Sequence, residues 1–578
     1  MGVDYSLPKI HIRMKKSICL SAVTIIKILL PLLCLAQSKN PALDSMGANM
    51  GRQNWERAIH WALKAAEADP SEKYWRYLNA AIFASRDHNA DLAIKYAALV
   101  VDSEIATNAG FGSSFDWLRK DSRWIQLMDR VAQLKEKERQ KRIQESLPFR
   151  DYQRELLGQT EDHLGSLVNI PSVEELYKAI QITSPVHSYS HSGRFGYYWL
   201  TLSDSLEFPY LVQLPINFDA RRRYPMVVVL HGAVSRQTTL PDVADSTRHI
   251  AFFGRPFFDR AYQSGMIAVF PYSTNRYNWM MPDDGFDLVP DLVRQVKKMY
   301  SIDDQRVYLA GHSNGATGAF SYLLKQPGLF AGFAGLNNRP QVRTGGTFLL
   351  NGTNRSFYNV STDNDYYFPI EGHRTLTNLT KQLNIDWVNQ EVVGHRSHSF
   401  LVNSQDSTVV KVYEALFNNL LAKKRNPFQP RLYWECDNVR HGRVDWLAIN
   451  ELDTLIKTAS WHTHQNFAVT GWREVMNPEI ILDSTSQAFV FPRRSGAVKA
   501  YYSNNRFDLK TSRVKSVSIY LSPEMIDFKK PLAVVINGIS VFNGNVSADR
   551  EFVIDAYRQE TDHQAIWIKR LQFTVPKK

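Results

Sequence analysis

Residues 310–316 read AGHSNGA, after the apolar run RVYLA at 306–310 and before a helical stretch at 317–325. This stretch matches the pattern G-x-S-x-G, whose two glycines let the chain turn sharply between a strand and a helix. Such a turn exposes the hydroxyl of Ser313 above the sheet. The N–H of Asn314 and the helix N-terminus point at the same spot, where they can stabilise a developing oxyanion. Ser313 is therefore the candidate nucleophile. The alternative is a tight turn that exposes a serine by chance.

Apolar runs of strand length alternate with helical stretches on both sides of this motif, for example with the helical stretch at 287–299. Continuous apolar strands joined by helices predict a parallel sheet that is buried on both faces. Residues 186–425 are therefore predicted to form an α/β domain. Its predicted strands cover residues 226–230, 266–270, 306–310, 347–350 and 388–393.

Two further motifs accompany Ser313. His231-Gly232-Ala233 ends the run at 226–230, and the sequence DQRVYLAGHS at 304–313 leads into the serine. Together they resemble the esterase and polyester-depolymerase branch of the α/β-hydrolases, which includes feruloyl and acetylxylan esterases. The resemblance covers residues 186–425 and implies an α/β-hydrolase fold. It also implies that Ala233 donates the second oxyanion N–H, with a purely structural turn as the alternative.

The general base is expected after the last sheet strand, in the chain order serine, acid, histidine. The sequence GHRSHSF at residues 394–400 lies there. The family places its histidine before a small residue and an aromatic residue, which favours His398 over His395.

The acid is harder to place. Related enzymes carry it shortly after a strand that ends in NG or HG, here at 351–352, but the aligned positions 354–355 hold no carboxylate. The sequence DYYFP at 365–369 resembles the family's D-x-x-x-P, displaced by a longer loop. The resemblance favours Asp365, with Asp363 next and Glu371 behind it.

Two weaker patterns lie outside these motifs. Tyr272, Tyr277 and Trp279 follow a predicted strand and are interpreted as lining a substrate pocket. His462 and His464 could hold a metal ion, but no further ligand lies near them in the sequence. A strand face is favoured there, and neither a metal nor another cofactor is predicted.

The regions that flank the α/β domain differ from it. In residues 41–160, apolar residues recur at helical spacing at 55–66 and again at 92–98. This Ala-rich repeat resembles tetratricopeptide-type hairpins. It is either a cap packed on the next domain or a docking surface for a peptide or protein. The tail, 430–578, is predicted to be β-rich and sandwich-like. Its signals are the alternating run at 514–521 and an Asn-Gly hairpin within 532–542.

Length and composition limit the class of protein. A chain of 578 residues is too long for one core and indicates three or four domains. A hydrophobic content of 44% excludes a disordered or fibrous protein. The net charge of +12 is scattered along the chain, so it indicates a solvated surface, and no nucleic-acid partner is predicted.

Residues 1–36 are predicted to be an export signal. Lys15 and Lys16 form its basic region, directly after Met14, which is an alternative start of the chain. The apolar run at 28–35 is too short to span a bilayer. A periplasmic or secreted protein of a bacterial type is expected, with no integral membrane segment after cleavage.

Small residues at Cys34 and Ala36 predict a cut before Gln37. Cleavage would remove Cys19 and Cys34, and Cys436, interpreted as structural, would then have no partner for an internal disulfide. The rival interpretation is a lipid anchor on Cys34, which needs a small residue where the chain has leucine.

These observations favour an exported serine esterase that acts on small-molecule, carbohydrate-linked or polymeric esters. A peptidase of the same fold is the close rival, because the same side chains can cleave amides. A binding protein with a decayed site is the third hypothesis, and the missing carboxylate at 354–355 is its only support.

We expect mass spectrometry of the exported protein to find Gln37 at or next to the mature N-terminus, because the small residues there fit a signal peptidase. A lipid-modified Cys34 at the N-terminus would contradict this prediction.

Overall fold

The structure is a computed structural model that describes residues 41–68, 73–102, 111–182, 194–201, 207–234, 254–274, 277–281, 284–475, 478 and 480–577. The predicted signal peptide at 1–36 lies outside these residues. The chain divides into two compact units, Met1–Lys141 and Arg142–Lys578. Within the described part of the chain, no helix combines the length and the apolarity that crossing a membrane requires.

The first unit is helical in its described residues. Small buried side chains such as Ala58, Ala62, Ala80 and Ala97 let its helices approach closely around one hydrophobic cluster. The periodic runs at 55–66 and 92–98 both lie in helices, as predicted. The helices are α1 Pro41–Gly51, α2 Trp55–Ala68, α3 Lys73–Arg86, α4 Ala90–Val101 and α5 Ser122–Val168, the last of which continues into the second unit.

The second unit is built around an eight-stranded sheet. Its strands are β1 Phe195–Thr201, β2 Glu207–Gln213, β3 Tyr224–Leu230, β4 Ile267–Pro271, β5 Ile302–His312, β6 Gly332–Leu336, β7 Ser356–Asn364 and β8 Trp387–Ser397. Their order is β1-β2-β4-β3-β5-β6-β7-β8. Strands β1 and β2 pair antiparallel, as do β2 and β4, whereas the pairs from β4 to β8 are parallel.

Both faces of this sheet are covered. In β3, Met226, Val228 and Leu230 belong to one hydrophobic cluster, and Val227 and Val229 belong to the other. The helices after α5 are α6 Val173–Ile182, α7 Arg255–Gln263, α8 Asp284–Met299, α9 Asn314–Lys325, α10 Ile370–Gln382, α11 Ser407–Ala422 and α12 Arg550–Glu560. Helices α8, α9 and α10 contribute to the first cluster, and α7 and α11 contribute to the second. The prediction of a largely parallel sheet buried on both faces is confirmed, and the arrangement fits an α/β-hydrolase-like fold.

The predicted strand at 347–350 is wrong. Leu349–Asn354 forms a 3₁₀ turn instead, and the strand follows it as β7. The turn is fixed by the amide of Asn351, which donates to the carbonyl oxygens of Leu324 and Glu435. The apolar side chains of this turn are buried. Apolar content alone cannot distinguish a buried turn from a buried strand.

The tail is β-rich in its described residues. Its strands are β9 Arg431–Cys436, β10 Arg443–Val444, β11 Leu447–Leu452, β12 Ala468–Val469, β13 Ser486–Gln487, β14 Gly496–Ser503, β15 Arg506–Ser512, β16 Val514–Leu521, β17 Leu532–Ile536, β18 Ile539–Gly544 and β19 Lys569–Thr574. A five-stranded sheet in the order β18-β17-β15-β14-β9 and a four-stranded sheet in the order β10-β11-β16-β19 share one hydrophobic core around Trp434, Val498 and Val517. The predicted alternating run is β16, and Asn537-Gly538 joins β17 to β18 in an antiparallel pair, as predicted. Cys436 is buried.

The predicted strand face at His462 and His464 is also wrong. Both residues lie between β11 and β12, outside any strand. A side-chain hydrogen bond holds this segment instead of strand pairing: the N–H of Ala459 donates to the hydroxyl of Ser512.

Buried charges join the tail to the eight-stranded sheet. Lys297 lies 2.6 Å from a carboxylate oxygen of Asp304 and 3.2 Å from one of Asp562. Arg425 donates to both carboxylate oxygens of Asp562 at 2.7 Å, and His563 contacts Asp304 at 2.9 Å. A buried charge is tolerated only when it is paired, so this cluster couples the two regions.

The hairpin at Gly538 should depend on its backbone conformation. Gly538 has φ +86° and enough open space for a Cβ, whereas Gly328 has equal space and no positive φ. Gly538→Ala should therefore lower the free energy of unfolding by about 1–2 kcal/mol. Gly328→Ala, the matched control, should leave it unchanged or slightly higher. Urea unfolding of both variants measures this, and equal effects would contradict it.

Candidate active site

Ser313 occupies a strained turn between β5 and α9. Its φ of 58° and ψ of −122° lie outside the conformations that side-chain-bearing residues prefer. The turn is held from below, because the N–H of Ser313 donates to the carbonyl oxygen of Leu336 at the end of β6 (3.0 Å). The serine side chain is only half-buried. It is thus raised above the carboxyl edge of the sheet and accessible to a reactant.

The glycines of the motif are required by close backbone contacts. A Cβ on Gly315 would overlap with the carbonyl oxygen of Leu230 in β3, and a Cβ on Gly311 would overlap with Gly315 itself. Gly232, at the end of β3, lies against the serine, since its Cβ would come within 3.0 Å of the Cβ of Ser313. These contacts bring the His-Gly motif and the nucleophile together.

The structure brings Ser313, His398 and Asp365 into one chain of hydrogen bonds. His398 Nε2 lies 2.9 Å from Ser313 Oγ, and His398 Nδ1 lies 2.7 Å from Asp365 Oδ1. A carboxylate only accepts, so Nδ1–H donates to Asp365 and Nε2 is left to accept from the serine hydroxyl. This is the order of contacts that nucleophilic catalysis by serine requires.

Asp365 follows β7 directly. The prediction that a longer loop separates the carboxylate from its strand is therefore wrong. The strand before Asp365 ends at Asn364 rather than at 351–352. Burial raises the pKa of Asp365, and the hydrogen bond from His398 opposes that rise. The N–H of Tyr367 donates to Asp365 Oδ1 at 2.8 Å and fixes the carboxylate.

The rival residues are placed differently. Asp363 accepts the backbone N–H groups of Gly394 (2.8 Å), His395 (3.1 Å) and Arg396 (2.8 Å). Burial would raise the pKa of Asp363, but these three donors hold it below its usual range. Asp363 thus fixes the end of β8, directly before His398, while His395 is exposed on that strand. Glu371 is exposed in the first turn of α10.

Sequence reasoning missed two residues that hold His398 from its backbone. The carbonyl oxygen of His398 accepts from Asn337 Nδ2 (2.6 Å) and lies 3.0 Å from His312 Nε2. Asn337 Oδ1 in turn accepts from the N–H and the hydroxyl of Thr362 in β7, both at 3.1 Å. Burial lowers the pKa of His312 to about 3, so this histidine is neutral. An asparagine after an apolar strand carries no recognisable signal in the sequence.

The two predicted oxyanion residues lie on adjacent elements. Asn314 begins α9, whose first N–H groups have no acceptor within the helix. Ala233 has φ 55° and directly follows Gly232, which lies against Ser313. The side chain of Asn314 links both sides of the site, accepting from the N–H of Val234 (3.3 Å) and donating to the hydroxyl of Tyr367 (2.8 Å).

Of the predicted pocket residues, Tyr272 and Trp279 are 2% and 0% exposed. They offer no surface to a substrate, so that interpretation is wrong for both. Trp279 lies beneath α9, where a Cβ on Gly318 would meet its ring at 2.5 Å. Tyr277 is partly buried, with its ring edge against Phe208. The aromatic rings beside His398 are instead those of Tyr366 and Tyr367, at centroid distances of 4.8 and 5.4 Å.

Comparisons with known proteins give only a distant likeness. No family model matches the chain, and no curated protein matches it. Among solved structures, a thermostable esterase aligns with 21% identity and a TM-score of 0.32 over 40% of this chain, which spans 64% of that esterase's length. Apo esterase 2 of Thermogutta terrifontis aligns with 14% identity and a TM-score of 0.32, over 41% of this chain and 96% of its own. The function of the chain therefore rests on the geometry of its site.

Asp365 and Asp363 can be separated by the reactivity of Ser313. Asp365→Asn should slow labelling of Ser313 by a fluorophosphonate by at least about 100-fold near neutral pH, because an amide stabilises the wrong histidine tautomer. Asp363→Asn should slow it less than about tenfold, since the hydrogen bonds of Asp363 come from the backbone N–H groups of residues 394–396 and not from the ring of His398.

The second-order labelling rate, read by mass spectrometry on folded protein, measures both effects. The reverse order of the two variants would assign the acid role to Asp363. Equal and small effects would mean that neither aspartate acts on His398.

Proposed function

We propose that the chain is an exported serine hydrolase that cleaves carbohydrate-linked or polymeric carboxylic esters through an acyl-enzyme on Ser313. The observation that carries this proposal is the hydrogen-bonded sequence Ser313–His398–Asp365, with distances of 2.9 and 2.7 Å. It is mounted on the strained turn at the carboxyl edge of the sheet, where enzymes of mostly parallel α/β architecture place their reacting groups.

In the proposed reaction, Ser313 Oγ attacks the ester carbonyl while His398 Nε2 takes the hydroxyl proton. Asp365 keeps the proton of the imidazole on Nδ1 and stabilises the imidazolium that forms. His398 then returns its proton to the leaving alcohol, which leaves the acyl group on Ser313. Water, deprotonated by the same Nε2, releases the acid and restores the serine.

Negative charge on the carbonyl oxygen needs donors that are already in position. We assign this role to the N–H groups of Ala233 and Asn314, which come from adjacent backbone segments at Ser313. The helix N-terminus at Asn314 adds a favourable dipole.

The surroundings of His398 support a substrate with a ring. Tyr366 and Tyr367 lie beside the imidazole and are half-buried, so each keeps some surface free. Flat aromatic faces of this kind suit sugar or aryl groups.

The two rival functions are weighed on the same geometry. A binding protein with a decayed site drew its support from the missing carboxylate at 354–355, and the contact between Asp365 and His398 removes that support. At the aligned position, Arg355 is buried and forms an ion pair with Asp445 of the tail. A peptidase shares the proposed chemistry, and no contact in the described residues favours it.

The flanking regions complete the proposal. We propose that residues 41–160 act as a helical cap, with protein docking as the alternative, and that the tail is a β-sandwich domain. The protein is proposed to work in the periplasm or outside the cell, after loss of its signal.

We expect wild-type protein to hydrolyse p-nitrophenyl acetate and Ser313→Ala to lose at least about 1,000-fold in kcat. Ser399→Ala, an exposed serine beside His398, is the matched control and should keep full activity. A Ser313→Ala variant that retains more than a few per cent of the activity would exclude Ser313 as the nucleophile. Cleavage of a p-nitroanilide at a comparable rate would favour the peptidase.

A further inference from the structure

Glu435, His462 and His464 form a compact group of metal-ligating side chains in the tail. One ligand atom from each lies within 4.8 Å of the others. Nε2 of each histidine lies 2.8 Å from the same oxygen, Glu435 Oε1. The hydroxyl of Ser495 donates to that oxygen at 2.6 Å. None of these residues belongs to the candidate active site.

Contacts outside the group hold each side chain in its orientation. The hydroxyl of Ser512 lies 2.9 Å from His462 Nδ1, and the hydroxyl of Tyr433 donates to Glu435 Oε2 at 2.8 Å. The ring of His464 stacks on Phe491 at a centroid distance of 4.2 Å and an angle of 13°. Partners of this kind, which orient a ligand through its other polar atom, accompany protein metal sites and strengthen them.

We propose that Glu435, His462 and His464 bind one divalent transition-metal ion of the zinc class. Two imidazole nitrogens and a carboxylate oxygen suit zinc, whereas calcium and magnesium prefer oxygen ligands throughout. Ligand atoms of a tetrahedral zinc site lie about 3.3 Å apart, given bonds of about 2.0–2.1 Å. The observed separations of 2.8 Å from each nitrogen to the carboxylate oxygen need to widen only slightly.

A fourth ligand is available on two sides. Ser495 Oγ lies 3.2 Å from His464 Nε2 and 3.4 Å from His462 Nε2, close enough to complete the shell. The side chain of His464 is 33% exposed, so water can reach the ion there, whereas Glu435 and His462 are buried.

The ion would fix both ends of a segment made of the described residues 465–475, 478 and 480–491, here named the arm. His464 lies directly before the arm, and Ser495 and the stacked Phe491 lie at its far end. From this base the arm reaches the segment 365–369, here named the acid loop, where Trp472 contacts Phe368. Trp472 also contacts Arg339. Binding of the metal would therefore tether the part of the tail that packs beside Asp365.

The test is zinc binding to the full chain after stripping with a chelator. A chromogenic competitor gives the stoichiometry and affinity for Zn²⁺, and thermal unfolding with and without Zn²⁺ gives a second readout. The variants are His464→Ala, which removes the most exposed ligand, and Glu435→Gln, which keeps the size of the side chain. His60→Ala removes an exposed histidine of the first unit and is the control.

We expect wild type and His60→Ala to bind one Zn²⁺ per chain and to unfold at a higher temperature with it. His464→Ala and Glu435→Gln should bind at least about 100-fold more weakly and lose that stabilisation. Co²⁺ in the wild-type site should show the visible absorption of a tetrahedral complex.

If the stripped wild type binds no added Zn²⁺, the proposal is overturned, and the cluster is joined by hydrogen bonds alone. Zinc binding of equal strength in His464→Ala and Glu435→Gln would also overturn it, because the ion would then lie elsewhere. If one variant does not fold, the other decides between these outcomes.

Discussion

The contact between α9 and the end of β3 is the constraint on which the site depends. Gly315 packs so closely on the carbonyl oxygen of Leu230 that no Cβ fits between them. Because α9 packs so closely on the end of β3, the chain needs a sharp turn between β5 and α9. Ser313 forms this turn, with a φ of 58°. The same approach presses Gly232 against the serine, so that one packing requirement positions Ser313, the helix N-terminus and the His-Gly loop.

The two aspartates at the end of β7 show how environment separates roles. Asp363 and Asp365 are two residues apart, yet their pKa values shift in opposite directions. Burial raises the pKa of Asp365, whereas in Asp363 the three backbone donors outweigh burial and lower it. A carboxylate that is already satisfied by backbone N–H groups gains little from a nearby imidazolium. Asp365, which has one carboxylate oxygen without a hydrogen-bond partner among the described residues, would gain more from a positive charge on His398.

The sequence predicts the α/β fold and candidate residues that the structure places together, because local motifs indicate both. Ser313 follows from glycine spacing, and His398 from its place after the last strand. The strand before Asp365 is wrongly predicted at 347–350, because an apolar 3₁₀ turn has the composition of a strand; the strand is β7. Asn337, Trp279 and Glu435 depend on partners distant in the chain. The packing of those partners has no local signature.

The tail is more than an appendage, because it supplies part of the pairing of the buried charges at its interface. Lys297, Asp304 and Arg425 belong to the α/β region, and Asp562 and His563 belong to the tail. Without the tail, Lys297 and Asp304 would keep their mutual contact, but Lys297 would lose its second carboxylate partner and Arg425 would lose both hydrogen bonds to Asp562. Asp304 is also part of the lead-in to Ser313 along β5. The strand that leads to Ser313 is therefore stabilised at its far end by the tail, while the arm packs beside the acid loop at the other end of the sheet.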